Sequence, residues 1–185
     1  MKRTIIGAIV GGIIIFVWQF LSWGALNLHR AQQEYTPKQD TILAFLGTQF
    51  DKDGAYFLPT YPPGASNEEM EKQMKSSEGK PYAQISYHKS MPGMDKMIMN
   101  MVRGLLVNIF MVWLLCWLLV KIPNRTFGTV FLGTLGTGVI VFLNAPYTMH
   151  IWYQTFDLMA HFIDVLGEWG AAGLWLGWWL TRNKN

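Results

Sequence analysis

Asp157, His161, Asp164 and Glu168 are spaced by four, three and four residues. At about 100° per residue this spacing places all four on one face of a helix. Three carboxylates and an imidazole on one face can ligate a divalent ion, pass protons, or pair with a basic residue from a neighbouring helix. The surrounding residues are almost entirely apolar, and a charged carboxylate at the centre of a bilayer costs roughly 2.5–3.5 kcal/mol or more. The stripe must therefore face protein, water or a bound ion. Other helices offer Gln19, Asn100, Arg103, Asn108, Asn144 and His150 as partners. Arg103, Asn108, Asp157, His161, Asp164 and Glu168 thus form a candidate intramembrane polar cluster. His161, Asp157, Asp164 and Glu168 are its candidate metal ligands. Depths counted at about 1.5 Å per residue from the outer helix ends match Arg103 to Asp164 and Asn108 to Glu168. The expected contacts are an Arg103–Asp164 ion pair and a Glu168 that is protonated or hydrogen-bonded to Asn108. Three uses of the stripe stay open: a packing network neutralised by Arg103, an ion or proton site, and contact with a partner subunit, lipid headgroup or quinone.

A second constellation is His88, Met91, Met94 and Met97, with Met99 and Met101 beyond. Thioethers suit Cu(I), but methionine is also a flexible apolar filler, and Pro92-Gly93 interrupts the run, so packing is the favoured reading. The chain has no catalytic triad, phosphate-binding loop, paired-cysteine motif or HExxH pattern, and the lone Cys116 cannot form an internal disulfide.

The elements that must position these groups are unusually apolar. Of 185 residues 51% are hydrophobic and 15% charged, where soluble domains carry about 25% charge. Four windows nearly free of charge, 4–26, 97–120, 127–145 and 157–180, are each long enough to cross about 30 Å of hydrocarbon. A soluble enzyme, a disordered tail and a nucleic-acid-binding module are excluded. The apolar run from Ile5 to Leu21 exceeds the h-region of a cleaved signal and ends in Trp18, Phe20 and Trp23, so an uncleaved helix is expected. Small residues four apart (Gly7/Gly11, Ala8/Gly12, Thr129/Gly133/Thr137, Gly173/Gly177) predict close helix packing. Trp113, Trp117, Trp175, Trp178 and Trp179 predict an interfacial belt.

Lys2, Arg3, Lys121, Arg125, Arg182 and Lys184 flank the helices with no acidic residue among them, which predicts that both termini and the 121–126 turn are cytoplasmic. Residues 27–96 are then extracytoplasmic. They carry eight basic and nine acidic residues, but a segment this long crosses largely regardless of charge. Thr36-Pro37-Lys38-Gln39 predicts a helix over about 37–49, capped by Thr36. Asp53-Gly54 followed by Ala55–Leu58 predicts a turn and strand, Ser66-Asn67-Glu68-Glu69 a capping box opening a helix to about Lys75, and Tyr82–His88 a second strand.

The stretches Phe16-Val17-Trp18-Gln19-Phe20-Leu21-Ser22-Trp23 and Asp53-Gly54-Ala55-Tyr56-Phe57-Leu58-Pro59, followed by three more helices, resemble a group of small four-helix bacterial inner-membrane proteins that carry no assigned activity. The resemblance implies topology and a bacterial inner membrane, and brings no catalytic residues.

The expected architecture is an all-α membrane protein: transmembrane helix 1 in 1–26, a small extracytoplasmic α+β cap in 27–96, and three transmembrane helices in 97–185. The leading functional expectation is a non-enzymatic accessory or interaction subunit of a membrane complex. The alternative is a metal-ion or proton-handling protein using the polar face of helix 4. No reaction can be named and no cofactor is required by the sequence. The expected partners are the lipid bilayer and a membrane protein or second copy of the chain, with no nucleic acid.

Overall fold

The computed structural model describes residues 2–182; Lys184, counted in the charge bias above, lies outside the described residues. The chain is mostly helical with a small two-stranded sheet. It divides into two compact units: residues 2–34 with 94–182, and Tyr35–Gly93. The division falls at 35 and 93 rather than at 27 and 96, so residues 27–34 belong with the long helices.

Among the described residues, three helical stretches are long and apolar enough to cross a membrane: Lys2–Ala25, Met94–Leu119 and Phe127–Trp152. The first is α1 (Lys2–Phe20) with a π-helical turn, Leu21–Ala25. The second is α4 (Met94–Leu119), numbered after the elements of the smaller unit. The third is α5 (Phe127–Phe142), a π-turn at Leu143–Tyr147, and α6 (Thr148–Trp152). A further continuous helix, residues 158–181, runs through α7 (Leu158–Asp164), a π-turn at Val165–Trp169 and α8 (Gly170–Thr181). It is not among the three, and His161, Asp164, Glu168 and its glycines account for its lower hydropathy.

Helix α1 packs on α4 and α8, and α5 packs chiefly on α8. Small residues permit the approach. Gly7, Ala8, Gly11 and Gly12 of α1 are all buried, and a Cβ on Gly12 would stand 2.6 Å from the Ile109 Cα of α4. The apolar core between these helices holds Ile15, Val112, Leu115, Cys116, Val130, Trp169 and Leu176.

The smaller unit contains α2 (Gln39–Gln49), β1 (Gly54–Leu58), α3 (Asn67–Ser77) and β2 (Ala83–Tyr87). The strands pair antiparallel from Gly54–Tyr87 to Leu58–Ala83. Phe50 stacks on Tyr56 at 3.8 Å. Just beyond the ladder, the Lys89 N–H donates to Asp53 at 2.9 Å, which holds the Asp53 carboxyl below the usual range. The capping box forms: Ser66 Oγ accepts from Glu69 N, and the Ser66 N–H donates to the Glu69 carboxylate. That last bond, with a second from Ser66 Oγ, lowers the Glu69 pKa. The expected Thr36 cap does not form. Helix α2 starts after Lys38, which makes no side-chain cap, and Thr36 Oγ1 instead accepts from Lys38 N at 3.3 Å, inside the preceding turn.

Candidate functional site

The polar face of the last helix meets a histidine from the far side of α1. Helix α1 ends in the Leu21–Ala25 π-turn, where Leu26 N–H donates to Leu21 O at 2.7 Å. Asn27 then takes a left-handed backbone, φ 52°, as asparagine does at helix ends. Leu28 N–H returns to Ser22 O at 2.9 Å. This reversal delivers His29 against the start of α7, where it is 2% exposed.

Both ring nitrogens of His29 are engaged. Nδ1 lies 2.7 Å from Asp157 Oδ2 and Nε2 lies 2.9 Å from Asp164 Oδ2. Trp23 stacks on the ring at 3.9 Å and 5°, fixing its plane. His161 meets it edge-on at 4.7 Å and sets its Nε2 3.4 Å from the same Asp157 oxygen. The second oxygen of Asp164 accepts from Trp18 Nε1 at 2.9 Å. Gly167 makes room for this: a Cβ there would overlap the Trp18 indole. Asp157 and Asp164 are both buried. Asp157 also stands at the N-terminal end of a long helix, where unpaired N–H groups favour an anion.

Glu168 takes a separate path. Gln19 Nε2 donates to Glu168 Oε2 at 3.1 Å, and Asn108 Nδ2 donates to Gln19 Oε1 at 2.8 Å. The π-turn over Val165–Trp169 widens the helix between Asp164 and Glu168, changing its phase. A groove of about 400 Å³ runs along this face, with Gln19, Trp23, His161, Asp164 and Glu168 on its polar side and Val141, Phe142 and Pro146 on its apolar side.

The cluster expected from the sequence is corrected at two points. Arg103 is exposed on α4 and, among the described residues, makes no ion pair; Asp164 is taken by Trp18 and His29 instead. Asn108 faces the bundle, and Arg103, five residues away, points about 140° from it. Asn108 reaches Glu168 through Gln19 rather than directly. Asn100 and Asn144 are exposed, and His150 accepts from Thr155 N at 3.1 Å. Of the methionine constellation, Met91, Met94 and Met97 are exposed, and His88 stands 3.6 Å from Asp53.

The residue that sequence reasoning missed is His29. It sits in a polar stretch with no periodicity to mark it, inside the 27–96 segment that the sequence assigns to the cap. One signal was available: an asparagine able to reverse the chain, followed two residues later by a group able to bond carboxylates. Trp18 and Trp23, read as interfacial anchors, position Asp164 and His29 respectively.

Asp157, Asp164, His29 and His161 thus form one buried cluster, of which Asp164 and His161 reach the groove beside Glu168, and among the described residues no Lys or Arg pairs with them. If both His29 contacts are donated by its own N–H groups, the ring carries two protons; otherwise a carboxyl group or a bound cation completes one of them. Comparison with family models, curated proteins and solved structures finds no match to the chain.

Proposed function

We propose that this chain is a cation-handling integral membrane protein with four spans, the fourth being residues 158–181. The carrying observation is the convergence of Asp157, Asp164, His29 and His161 in one cluster that opens to a groove through His161 and Asp164 and, among the described residues, has no Lys or Arg counter-residue. The packing reading looked to Arg103 to neutralise one of the acids, and Arg103 is exposed elsewhere on α4. The carboxyl-rich, water-accessible face suits an ion taken up from one side of the membrane.

Topology supports the same reading. Short flanking segments with Lys2, Arg3, Lys121, Arg125 and Arg182 belong on the cytoplasmic side, which leaves residues 27–96 and the His29 site outside. The resemblance of the Phe16–Trp23 and Asp53–Pro59 stretches points to a bacterial inner membrane. On a Cys116→Ser background, single cysteines at 65 and 78 should label from outside, and one at 123 only from inside. Labelling of 123 from outside would reject four spans.

The cation reading is tested by the thermal stability of the purified chain in nanodiscs against Na+, K+, Mg2+, Ca2+, Mn2+ and Zn2+. A ligand of the native state at about a hundred times its Kd stabilises by about 2.7 kcal/mol. A saturable rise with at least one cation, absent in Asp157→Asn, is expected. A flat response to all six rejects the reading.

A further inference from the structure

We infer that His29 Nδ1, Asp157 Oδ2 and His161 Nε2 form a binding site for one divalent first-row transition-metal ion, with Asp164 behind His29 orienting its ring. The inference rests on the cation-handling reading and narrows it to a ligand class. One ligand atom from each of these three residues lies within 4.8 Å of the other two, on residues that are buried, buried and half-buried. Around a tetrahedral zinc, ligand atoms at about 2.0–2.1 Å from the metal are about 3.3 Å apart. The His161 Nε2–Asp157 Oδ2 distance of 3.4 Å already matches that edge. The His29 Nδ1–Asp157 Oδ2 distance of 2.7 Å is a hydrogen bond and opens by about 0.6 Å to admit the ion.

The surroundings of His29 are those of a metal-binding imidazole. A ligating histidine characteristically donates its other N–H to a carboxylate, which sets the tautomer and aims the free nitrogen. Here Nε2 faces Asp164 Oδ2 at 2.9 Å, leaving Nδ1 for the metal side. Asp164 is itself held through its other oxygen by the Trp18 indole, and Trp23 clamps the ring plane by stacking. The chain therefore supplies a ligand, the carboxylate behind it and the support behind that carboxylate, drawn from segments far apart in sequence.

Two imidazoles and one carboxylate select for zinc, manganese, iron or cobalt over calcium and magnesium, which favour all-oxygen sites. The fourth position is open, because His161 is 31% exposed in its side chain and lines the groove. Water or a small ligand reaches the ion from there.

The test uses Co2+ alone as the probe, titrated into the metal-stripped full-length chain in nanodiscs. The expected result is one Co2+ per chain, the intense visible absorption of four-coordinate cobalt, and displacement by Zn2+ but not by Ca2+ or Mg2+. His161→Gln, which removes a half-exposed group, should lower Co2+ affinity at least tenfold while the protein stays monodisperse. Asp164→Asn should weaken it by about 10–100-fold. Absence of Co2+ binding by the wild-type chain overturns the metal site, and so does binding that His161→Gln leaves unchanged or that is lost with His88→Ala instead. The two readings separate cleanly. Stabilisation by Na+, K+, Ca2+ or Mg2+ with no cobalt spectrum rejects the metal and keeps cation handling. A flat response to every cation rejects both.

Discussion

The two ends of the helical unit join the same pair of helices, α1 and the last one, by opposite means. At one end, side chains bond side chains: His29 to Asp157 and Asp164, Trp18 to Asp164, Gln19 to Glu168. At the other, indoles bond backbone. Trp179 Nε1 donates to Arg3 O at 2.8 Å and Trp175 Nε1 to Gly7 O at 3.2 Å. There Trp175 and Trp179 stack at 5.2 Å, and the Arg182 guanidinium lies 3.6 Å over Trp179. Backbone carbonyls and aromatic faces are present whatever the neighbouring residues are, so the aromatic end tolerates change. The polar end depends on particular ionisable groups, each of which leaves a buried partner stranded when removed.

The contrast can be broken most directly at Asp164. Asp164→Ala strips the acceptor from both His29 and Trp18, and removing one partner of a buried pair costs about 3–5 kcal/mol. Denaturant unfolding in detergent should show that loss; a change below about 1 kcal/mol would place the polar end on the same footing as the aromatic end.

A smaller effect is expected at Gly167. An added methyl displaces the Trp18 indole, and overpacking of this kind costs about 1–3 kcal/mol. Gly136→Ala, with nothing within 4 Å of the added carbon, is the reference. Equal stability of the two variants would mean that Trp18 does not need its seat.

Trp179→Phe tests the other end. It keeps an aromatic face for Arg182 and loses one hydrogen bond to Arg3 O, a change of about 0.5–1.5 kcal/mol. A loss as large as that of Asp164→Ala would overturn the claim that this end is tolerant.

The smallest effect is in the exposed unit, where water screens the pairing. The Lys89 N–H lowers the Asp53 pKa from its ordinary value of 3.8. A group with a depressed folded pKa contributes stability that is present above its unfolded value and is lost as pH falls through the folded one. Protection of the Lys89 amide from hydrogen exchange, corrected for intrinsic rate, should therefore fall as the pH drops below about 3.8. In Asp53→Asn it should be low at all pH. Unchanged protection in that variant would show that the strand pairing alone closes the turn.

Much of this molecule was legible in the residues themselves. The long apolar helices follow from runs of low charge, because lipid demands an internally bonded backbone and apolar side chains. The Ser66 capping box and the Gly54–Leu58 and Ala83–Tyr87 strands are local, set by contacts a few residues apart or by alternation. The common face of Asp157, His161 and Asp164 follows from helical periodicity alone. Which group answers that face did not follow, since periodicity describes one helix and not how two of them cross. Arg103 had a suitable charge and depth, yet the close approach of Gly12 to Ile109 turns a different face of α4 inward. His29 had no pattern to mark it, and its place depends on a π-turn, a left-handed Asn27 and the room left by Gly167. A face is a property of one helix and its repeat. A site needs a partner, and the partner is decided by packing between segments distant in the chain.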